Sequence, residues 1–205
     1  LKGQVPDIGV SKTLRELGVM EEGEVSGLGP CYVANPYAIG SPEPEIVIRT
    51  RQLVESVILD GLREWLRNNG FASYDKIAIR GDDHPRMVGQ LKWDLTAPSY
   101  LMPLRGQKTK NGFVVADVFS DIRIDVAEAR YFVRKAQLYR QTAKSGQILP
   151  MLMADSFTGA ALTYCHQAGI VPCTPAGLFG KNVGGALLSL TDTLKKAACV
   201  AINDP

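Results

Sequence analysis

The sequence predicts an α/β fold in which one mixed β-sheet is flanked by helices, and two patterns indicate it. Three short strand-like segments follow a long helical segment, and consecutive strands with short connections usually form an antiparallel meander. Farther along, an apolar strand, a small helix and a last short strand occupy residues 148–174. A strand–helix–strand unit of this kind is normally parallel. We therefore expect one sheet with both kinds of pairing and helices on its faces.

Length and composition are those of an ordinary globular domain. The 205 residues suit one domain with an additional arm, and 45% hydrophobic residues supply enough apolar surface for a packed core. A net charge of +2 neither indicates nor excludes a nucleic-acid partner, because a basic face can lie on a nearly neutral protein. The sequence has no run of about 18 apolar residues, so no membrane span is expected.

The four cysteines, Cys31, Cys165, Cys173 and Cys199, indicate a reducing compartment. They form no C-x-x-C pair, and their spacings fit neither a zinc site nor a small disulfide scaffold. We therefore expect reduced, mostly buried thiols and a cytoplasmic, intracellular protein. The start at Leu1 resembles neither a signal peptide nor a native initiator, which indicates a trimmed or tag-derived end.

Residues 1–44 are predicted to form an N-terminal arm, and residues 45–205 the main domain. The arm holds a short helical candidate, Ser11–Leu17, with Ser11 as its N-cap. The Gly- and Pro-rich stretch from Gly23 to Pro44 is expected to be irregular or extended. Two interpretations of the arm stay open. It is either a loose extension or a segment that binds a protein partner or a second copy of the chain.

The main domain opens with a long amphipathic helix. Apolar residues recur at helical spacing from Leu53 to Leu66, and Asn69-Gly70 supplies the end of the helix. The three strands of the meander are predicted at Lys76–Arg80, Gln90–Ala97 and Phe113–Phe119.

Four elements are predicted to complete the domain. A second helix begins near Asp125, which forms a capping-box pattern with Glu128. Almost every residue from Ile148 to Ala154 is apolar, as in a strand that is covered on both faces. A small helix, a short strand and a last helix follow at Thr158–Ala168, Ile170–Thr174 and Asn182–Ile202.

This order of elements resembles the core of the PD-(D/E)XK, or restriction-endonuclease-like, nuclease superfamily: a helix, a three-strand meander, a helix and a further strand. The resemblance covers about Glu45 to Pro175. Short patterns in the second half are also similar to those of uncharacterised microbial members of the superfamily. They are Phe132-x-x-Lys135-Ala136-x-x-Tyr139, Leu149–Asp155, Ala160-Ala161 and Gly169-Ile170.

The resemblance implies a nucleic-acid-binding protein and a Mg²⁺-dependent endonuclease site. The metal-binding Asp of the family falls at Asp94 and its Glu at Asp117, so both positions are acidic. The Lys of the family falls at Phe119, which cannot supply a positive charge. The motif is therefore degenerate. The alternative is a catalytically inactive pseudo-nuclease that serves as a binding or structural subunit of a larger assembly.

Hydrolysis by such a site needs carboxylates to hold Mg²⁺, which polarises the phosphate and lowers the pKa of a bound water. A nearby ammonium group stabilises the developing negative charge. Lys92 shares a strand face with Asp94 and is one candidate for that group, and Lys135 on the second helix is another. Glu55 on the first helix is a candidate third metal ligand.

A different interpretation gives the two aspartates only structural partners. In that case arginines such as Arg80 or Arg123 neutralise Asp94 and Asp117, and Phe119 packs in the core.

Basic residues on the second helix are the candidate contact for a DNA or RNA backbone. Arg130 and Arg134 share a helix face, Lys144 follows on about the same side, and Tyr131 and Tyr139 are interleaved. The alternative is a solvated helix face that binds nothing.

Overall fold

The protein is described by a computed structural model of residues 14–17, 20–25, 29–34, 44–83, 86–104, 112–142 and 147–202. The chain divides into two compact units, residues 1–50 and residues 51–205.

The first unit contains an antiparallel hairpin. Strand β1 (Met20–Val25) pairs with strand β2 (Gly29–Ala34), with Met20 opposite Ala34. The stretch from Gly23 was expected to be irregular or extended, and its parts in these strands are extended. The run Cys31-Tyr32-Val33 favours strand structure in spite of the flanking Gly and Pro. Residues 14–16 of the predicted first helix are helical. Its N-cap Ser11 and residues 26–28 and 35–43 of the Gly/Pro-rich stretch lie outside the described residues.

Helix α1 (Pro44–Asn68) confirms the long amphipathic helix. Its buried residues within the second unit include Val54, Ile58, Leu62 and Leu66, spaced as one helical face. The helix ends as predicted, because Gly70 adopts φ 65° and the amide of Phe71 bonds back to the carbonyl of Leu66.

A five-stranded mixed sheet forms the centre of the second unit. In spatial order its strands are β3 (Ala78–Ile79), β6 (Leu95–Ser99), β7 (Gly112–Ile124), β8 (Ile148–Phe157) and β9 (Val171–Cys173). The first three pair antiparallel, and β7, β8 and β9 pair parallel. The antiparallel meander and the parallel strand–helix–strand unit are both confirmed.

The predicted strand Gln90–Ala97 is interrupted. Its first part, β5 (Leu91–Lys92), pairs with β4 (Met87–Val88) in a separate two-stranded sheet. A Gly89-Gln90 turn closes that hairpin, with Gly89 at φ 66°, so local pairing removes these residues from the main sheet. Asp94 therefore lies in a bend directly before β6 rather than in the middle of a strand, and Lys92 does not share a strand with it.

Four helices follow β7: α2 (Val126–Thr142), α3 (Gly159–Gln167), α4 (Pro175–Phe179) and α5 (Lys181–Ile202). Asp125 and Glu128 form the predicted capping box, since each side chain accepts a backbone N–H of the other residue. The short helix α4 was not predicted. Its N-cap is Thr174, and it starts with a proline at a position where the missing N–H costs nothing.

Two buried apolar clusters lie on the two faces of the sheet. In β7, Val114, Ala116 and Val118 belong to the cluster that contains the buried face of α1. The intervening Val115 belongs to the cluster that contains the α2 residues Phe132 and Ala136. The alternation of β7 places helices on both faces of the sheet, as predicted. None of the described helices is both long and apolar enough to cross a bilayer.

Candidate functional site

Asp117 is a buried carboxylate on β7, with a relative exposure of 5%. It lies two residues from Val115 along the strand, so it points to the face of the sheet that α2 covers. Its Oδ1 accepts the backbone N–H of Asp94 at 3.1 Å, and its Oδ2 accepts a hydrogen bond from Nζ of Lys135 at 2.5 Å. Burial raises the pKa of Asp117 to about 6, and the nearby Lys135 ammonium opposes that shift.

Asp94 lies opposite Asp117 at the point where the β6–β7 ladder stops. The register pairs Leu95 with Ala116, and the amide of Asp94 still bonds to the Ala116 carbonyl. Its Oδ2 accepts the backbone N–H of Val118 at 3.0 Å. Each aspartate therefore accepts a backbone donor of the neighbouring strand. These two bonds place Asp94 next to Asp117, as neighbours across the end of the β6–β7 pairing.

Lys135 of helix α2 supplies a positive charge in this position. It is buried, forms an ion pair with Asp117, and places Nζ 4.2 Å from the centroid of the Trp93 ring. The carboxylate and the aromatic face together offset the cost of burying an ammonium group. Phe119, two residues after Asp117 on β7, packs against the α2-side cluster.

Two arginines lie on the other side of Asp94. Nη1 of Arg80 and Nη1 of Arg86 are 3.8 Å and 4.0 Å from the same oxygen, Oδ1 of Asp94. Nη2 of Arg80 also bonds to Oε2 of the buried Glu55 at 2.5 Å. The other oxygen of Glu55 accepts the backbone N–H of Ser120 at 3.2 Å. Glu55 is thus linked to Asp94 through Arg80.

The other candidate residues lie outside this cluster. Lys92 is exposed on β5, and Arg123 is exposed near the end of β7. Arg130 and Arg134 are exposed on α2, which leaves both able to contact a large ligand. Tyr139 is buried in the α2-side cluster and therefore cannot alternate with these arginines on the surface. Lys144 lies outside the described residues.

Sequence reasoning did not find Arg86, Ser120 or Trp93. Arg86 reaches Asp94 because the β4–β5 hairpin folds back, and its carbonyl accepts the amide of Trp93 at 3.1 Å. A hairpin whose strands have two residues each is too short to give a periodic sequence pattern that would predict it. Ser120 donates to Oε1 of Glu55 through its backbone amide and, at 3.5 Å, through its hydroxyl, a contact between distant segments that no local pattern predicts.

The residues present fit a magnesium ion held by two protein carboxylates. Mg²⁺ is often bound by one or two carboxylates together with waters and substrate phosphate. In the described part of the chain, no group of three His, Cys, Asp or Glu side chains is placed to share a metal ion, so Glu55 does not join Asp94 and Asp117 as a third ligand there. Among the described residues, these ion pairs join three carboxylates (Glu55, Asp94 and Asp117) to three cations (Arg80, Arg86 and Lys135), so their charges balance.

No protein-family model matches the chain, and no curated protein matches it. Solved structures that are similar in part are an EndoMS–dsDNA2 complex and a repair endonuclease from Pyrococcus abyssi. Each is 12% identical over 55% of this chain, with TM-scores of 0.34 and 0.33. The similar region spans 42% and 44% of those two proteins, less than half of either. What this chain does is therefore inferred from its own residues.

Proposed function

We propose that the protein is a nucleic-acid-binding nuclease of the restriction-endonuclease-like kind that cleaves internal phosphodiester bonds with Mg²⁺. One observation carries the proposal. The ammonium group of Lys135 lies 2.5 Å from Asp117, beside Asp94, although Phe119 occupies the family's Lys position. A helix thus supplies the charge that strand β7 lacks.

The roles of the residues follow from their geometry. Asp94 and Asp117 would hold Mg²⁺, which when bound polarises the scissile phosphate and lowers the pKa of a coordinated water. Lys135 is a donor fixed in position by the ring of Trp93, and its charge stabilises negative charge that develops on the phosphate. Because Lys135 is buried, its orientation costs little further entropy during the reaction.

Asp117 has to be ionised to hold a cation. Its pKa of about 6 means that the carboxylate form dominates at neutral pH and is lost in mild acid. We therefore expect cleavage to increase as the pH rises from about 5 to about 7.

Helix α2 also supports contact with a DNA or RNA backbone. Arg130 and Arg134 are exposed four residues apart, and the same helix carries Lys135 on its buried side. A phosphate backbone that lay along the exposed face of α2 would meet two guanidinium groups, which suit phosphate oxygens.

The near-neutral cluster favours a second candidate function, that of an inactive pseudo-nuclease. Asp94 and Asp117 already have Arg80, Arg86 and Lys135 nearby, so a metal ion would have to displace existing ion pairs. In this alternative the cluster is structural, and the protein acts as a subunit that binds a protein partner or a second copy through the N-terminal arm.

A cleavage assay separates the two functions. We expect the protein to nick supercoiled plasmid, single-stranded DNA or RNA with Mg²⁺ or Mn²⁺, and EDTA to stop the reaction. Asp94→Asn should reduce the rate at least a hundredfold, because an amide oxygen is a weak ligand for a hard cation. The matched control is Asp60→Asn, which removes an exposed carboxylate that pairs with Arg63 on α1.

Equal rates in the Asp94 variant and the wild type would assign any nicking to a contaminant. If the folded wild type neither cleaves nor binds Mg²⁺ by calorimetry, the pseudo-nuclease takes the place of the enzyme.

A further inference from the structure

Arg80 and Arg86 place two positive charges against a single carboxylate oxygen. Their distances to Oδ1 of Asp94, 3.8 Å and 4.0 Å, are those of ion pairs and are longer than hydrogen bonds. The guanidinium N–H groups that face Asp94 are therefore attracted to it without being bonded to it. Burial lowers the pKa of Arg86, Asp94 opposes this shift, and the charge of Arg80 adds to it. The carboxylate of Asp94 thus attracts two guanidinium groups that repel each other.

Arg80 is held in position from behind. Its Nη2 is bonded to Glu55, whose side chain is only 6% exposed, and Glu55 is fixed by the amide of Ser120. The backbone amide of Arg80 bonds to the carbonyl of Asp94 at 2.8 Å. These contacts restrict the guanidinium group of Arg80 to an orientation in which Nη1 faces Asp94. A donor that is ordered in advance loses less entropy when it binds a ligand.

This side of the cluster is open to solvent, whereas the Lys135 side is closed. The side chains of Arg80 and Asp94 are 30% and 22% exposed, compared with 6% for Lys135 and 7% for Asp117. Arg86 is 13% exposed, so part of its surface can also be reached. An anion that approaches the two aspartates from solvent therefore meets Arg80 and Arg86 first.

We propose that Arg80 and Arg86 form a phosphate-binding subsite that takes a backbone phosphate of the nucleic acid next to Asp94. The subsite rests on the proposed function, because it orients the substrate of that same site. Guanidinium groups bind phosphate oxygens through paired, charge-assisted hydrogen bonds. Both arginines face the carboxylate of Asp94, so a backbone phosphate bound next to it would give them a second anion.

Glu55 is a positioning residue in this subsite. It touches neither phosphate nor metal and acts by holding Arg80. Removing its charge leaves the number of cations in the subsite unchanged, whereas removing either arginine lowers it by one. The two kinds of variant therefore differ in the salt dependence of binding, which depends on the number of phosphate contacts that cations make.

Binding without metal tests the subsite without requiring cleavage. The dissociation constant of a fluorescent DNA duplex and of a single strand is measured by anisotropy in EDTA at several salt concentrations. Arg80→Met and Arg86→Met should each weaken binding by on the order of tenfold. Each should also reduce the slope of log Kd against log salt by about one. Glu55→Gln should weaken binding while the slope stays as in the wild type.

The matched control is Arg67→Met, because Arg67 pairs with Glu64 and the carbonyl of Tyr74 outside the cluster. Circular dichroism identifies variants that fail to fold, and Arg86→Gln, which also removes the charge, replaces the Met variant if that one does. Arginine variants that fold but keep wild-type affinity and slope would overturn the subsite. The subsite would also be overturned if inorganic phosphate no longer competed with the oligonucleotide in the arginine variants while their affinity for the oligonucleotide stayed normal. In that case the arginines would bind the free anion and not the nucleic-acid backbone.

The test distinguishes failure of the subsite from failure of the nuclease. If the arginine variants lose affinity and the wild type never cleaves, the subsite stands and the enzyme does not. If the wild type cleaves and the arginine variants bind and cleave normally, the enzyme stands and the subsite does not.

Discussion

Lys135 and Asp117 form an ion pair in which both side chains are nearly closed to water. Burial alone favours the neutral acid, and the ammonium group favours the carboxylate. The balance leaves the pKa of Asp117 at about 6, well above that of an exposed aspartate. In this range a small change in the surroundings decides whether the group is ionised at neutral pH.

Lys135→Met tests this balance. Removing the ammonium group removes the nearest interaction that stabilises the carboxylate, so the pKa of Asp117 should rise above 6. Carboxyl ¹³C chemical shifts measured against pH would show the change. Where cleavage is measurable, the acid limb of its pH profile should move to higher pH as well.

Arg123→Met is the control, since Arg123 is exposed and has no hydrogen bond to Asp117 among the described residues. An Asp117 titration that stays near 6 in Lys135→Met would mean that the ion pair does not set the protonation of the site.

The individual residues of the site were only partly predictable from sequence. Asp94, Asp117 and Lys135 are found because strand and helix positions, once assigned, place them near one another. Arg86 was missed because its place depends on a hairpin of two-residue strands, too short for a periodic signal. The expectation that Lys92 shares a strand face with Asp94 was wrong for the same reason, since β5 pairs outside the main sheet.

Periodic patterns of apolar residues correctly predicted the longer helices and strands. Strand β8 is almost continuously buried from Ile148 to Ala154, as its apolar run predicts for a strand between two layers of helices. The capping box at Asp125 located the start of α2 to within one residue. The five-residue helix α4 was missed because it is shorter than two turns, which leaves too few positions for a helical pattern.

The exposed face of α2 bears Arg130 and Arg134, which are candidates for contact with a nucleic-acid backbone. If that face contacts a phosphate backbone, the double variant Arg130→Glu/Arg134→Glu should weaken oligonucleotide binding by at least tenfold and flatten its salt dependence. Both residues are exposed, so the fold should be unaffected. Fluorescence anisotropy at several salt concentrations measures the effect.

The control is the double variant Asp192→Lys/Lys181→Glu on α5. Both residues are exposed, and the two charge reversals leave the net charge of the protein unchanged. Unchanged affinity in the α2 double variant would mean that these arginines are only solvated.

At the scale of the whole molecule, the two apolar clusters share one sheet. Strand β7 contributes to both clusters through its alternating side chains, so neither can be lost without exposing residues of the same strand. We therefore expect residues 45–205 to unfold in a single cooperative transition.

The domain boundary at residue 44 is tested by a chain that starts at residue 45. It should show one calorimetric transition in which the calorimetric and van't Hoff enthalpies agree. Its affinity for the oligonucleotide should remain that of the full chain. A shortened chain that is unfolded, or that melts in two steps, would show that the arm belongs to the domain.

The ionic cluster joins segments that lie far apart along the chain, since 65 positions separate Glu55 from Ser120. Closing loops of that length costs entropy before any contact offsets it, so such contacts form late as the protein folds. A chain still being synthesised contains Asp94 and Asp117 before it contains Lys135. Until α2 is made, Asp117 lacks its ion-pair partner, and Arg80 and Arg86 are the cations of the cluster that offset the repulsion between the two carboxylates.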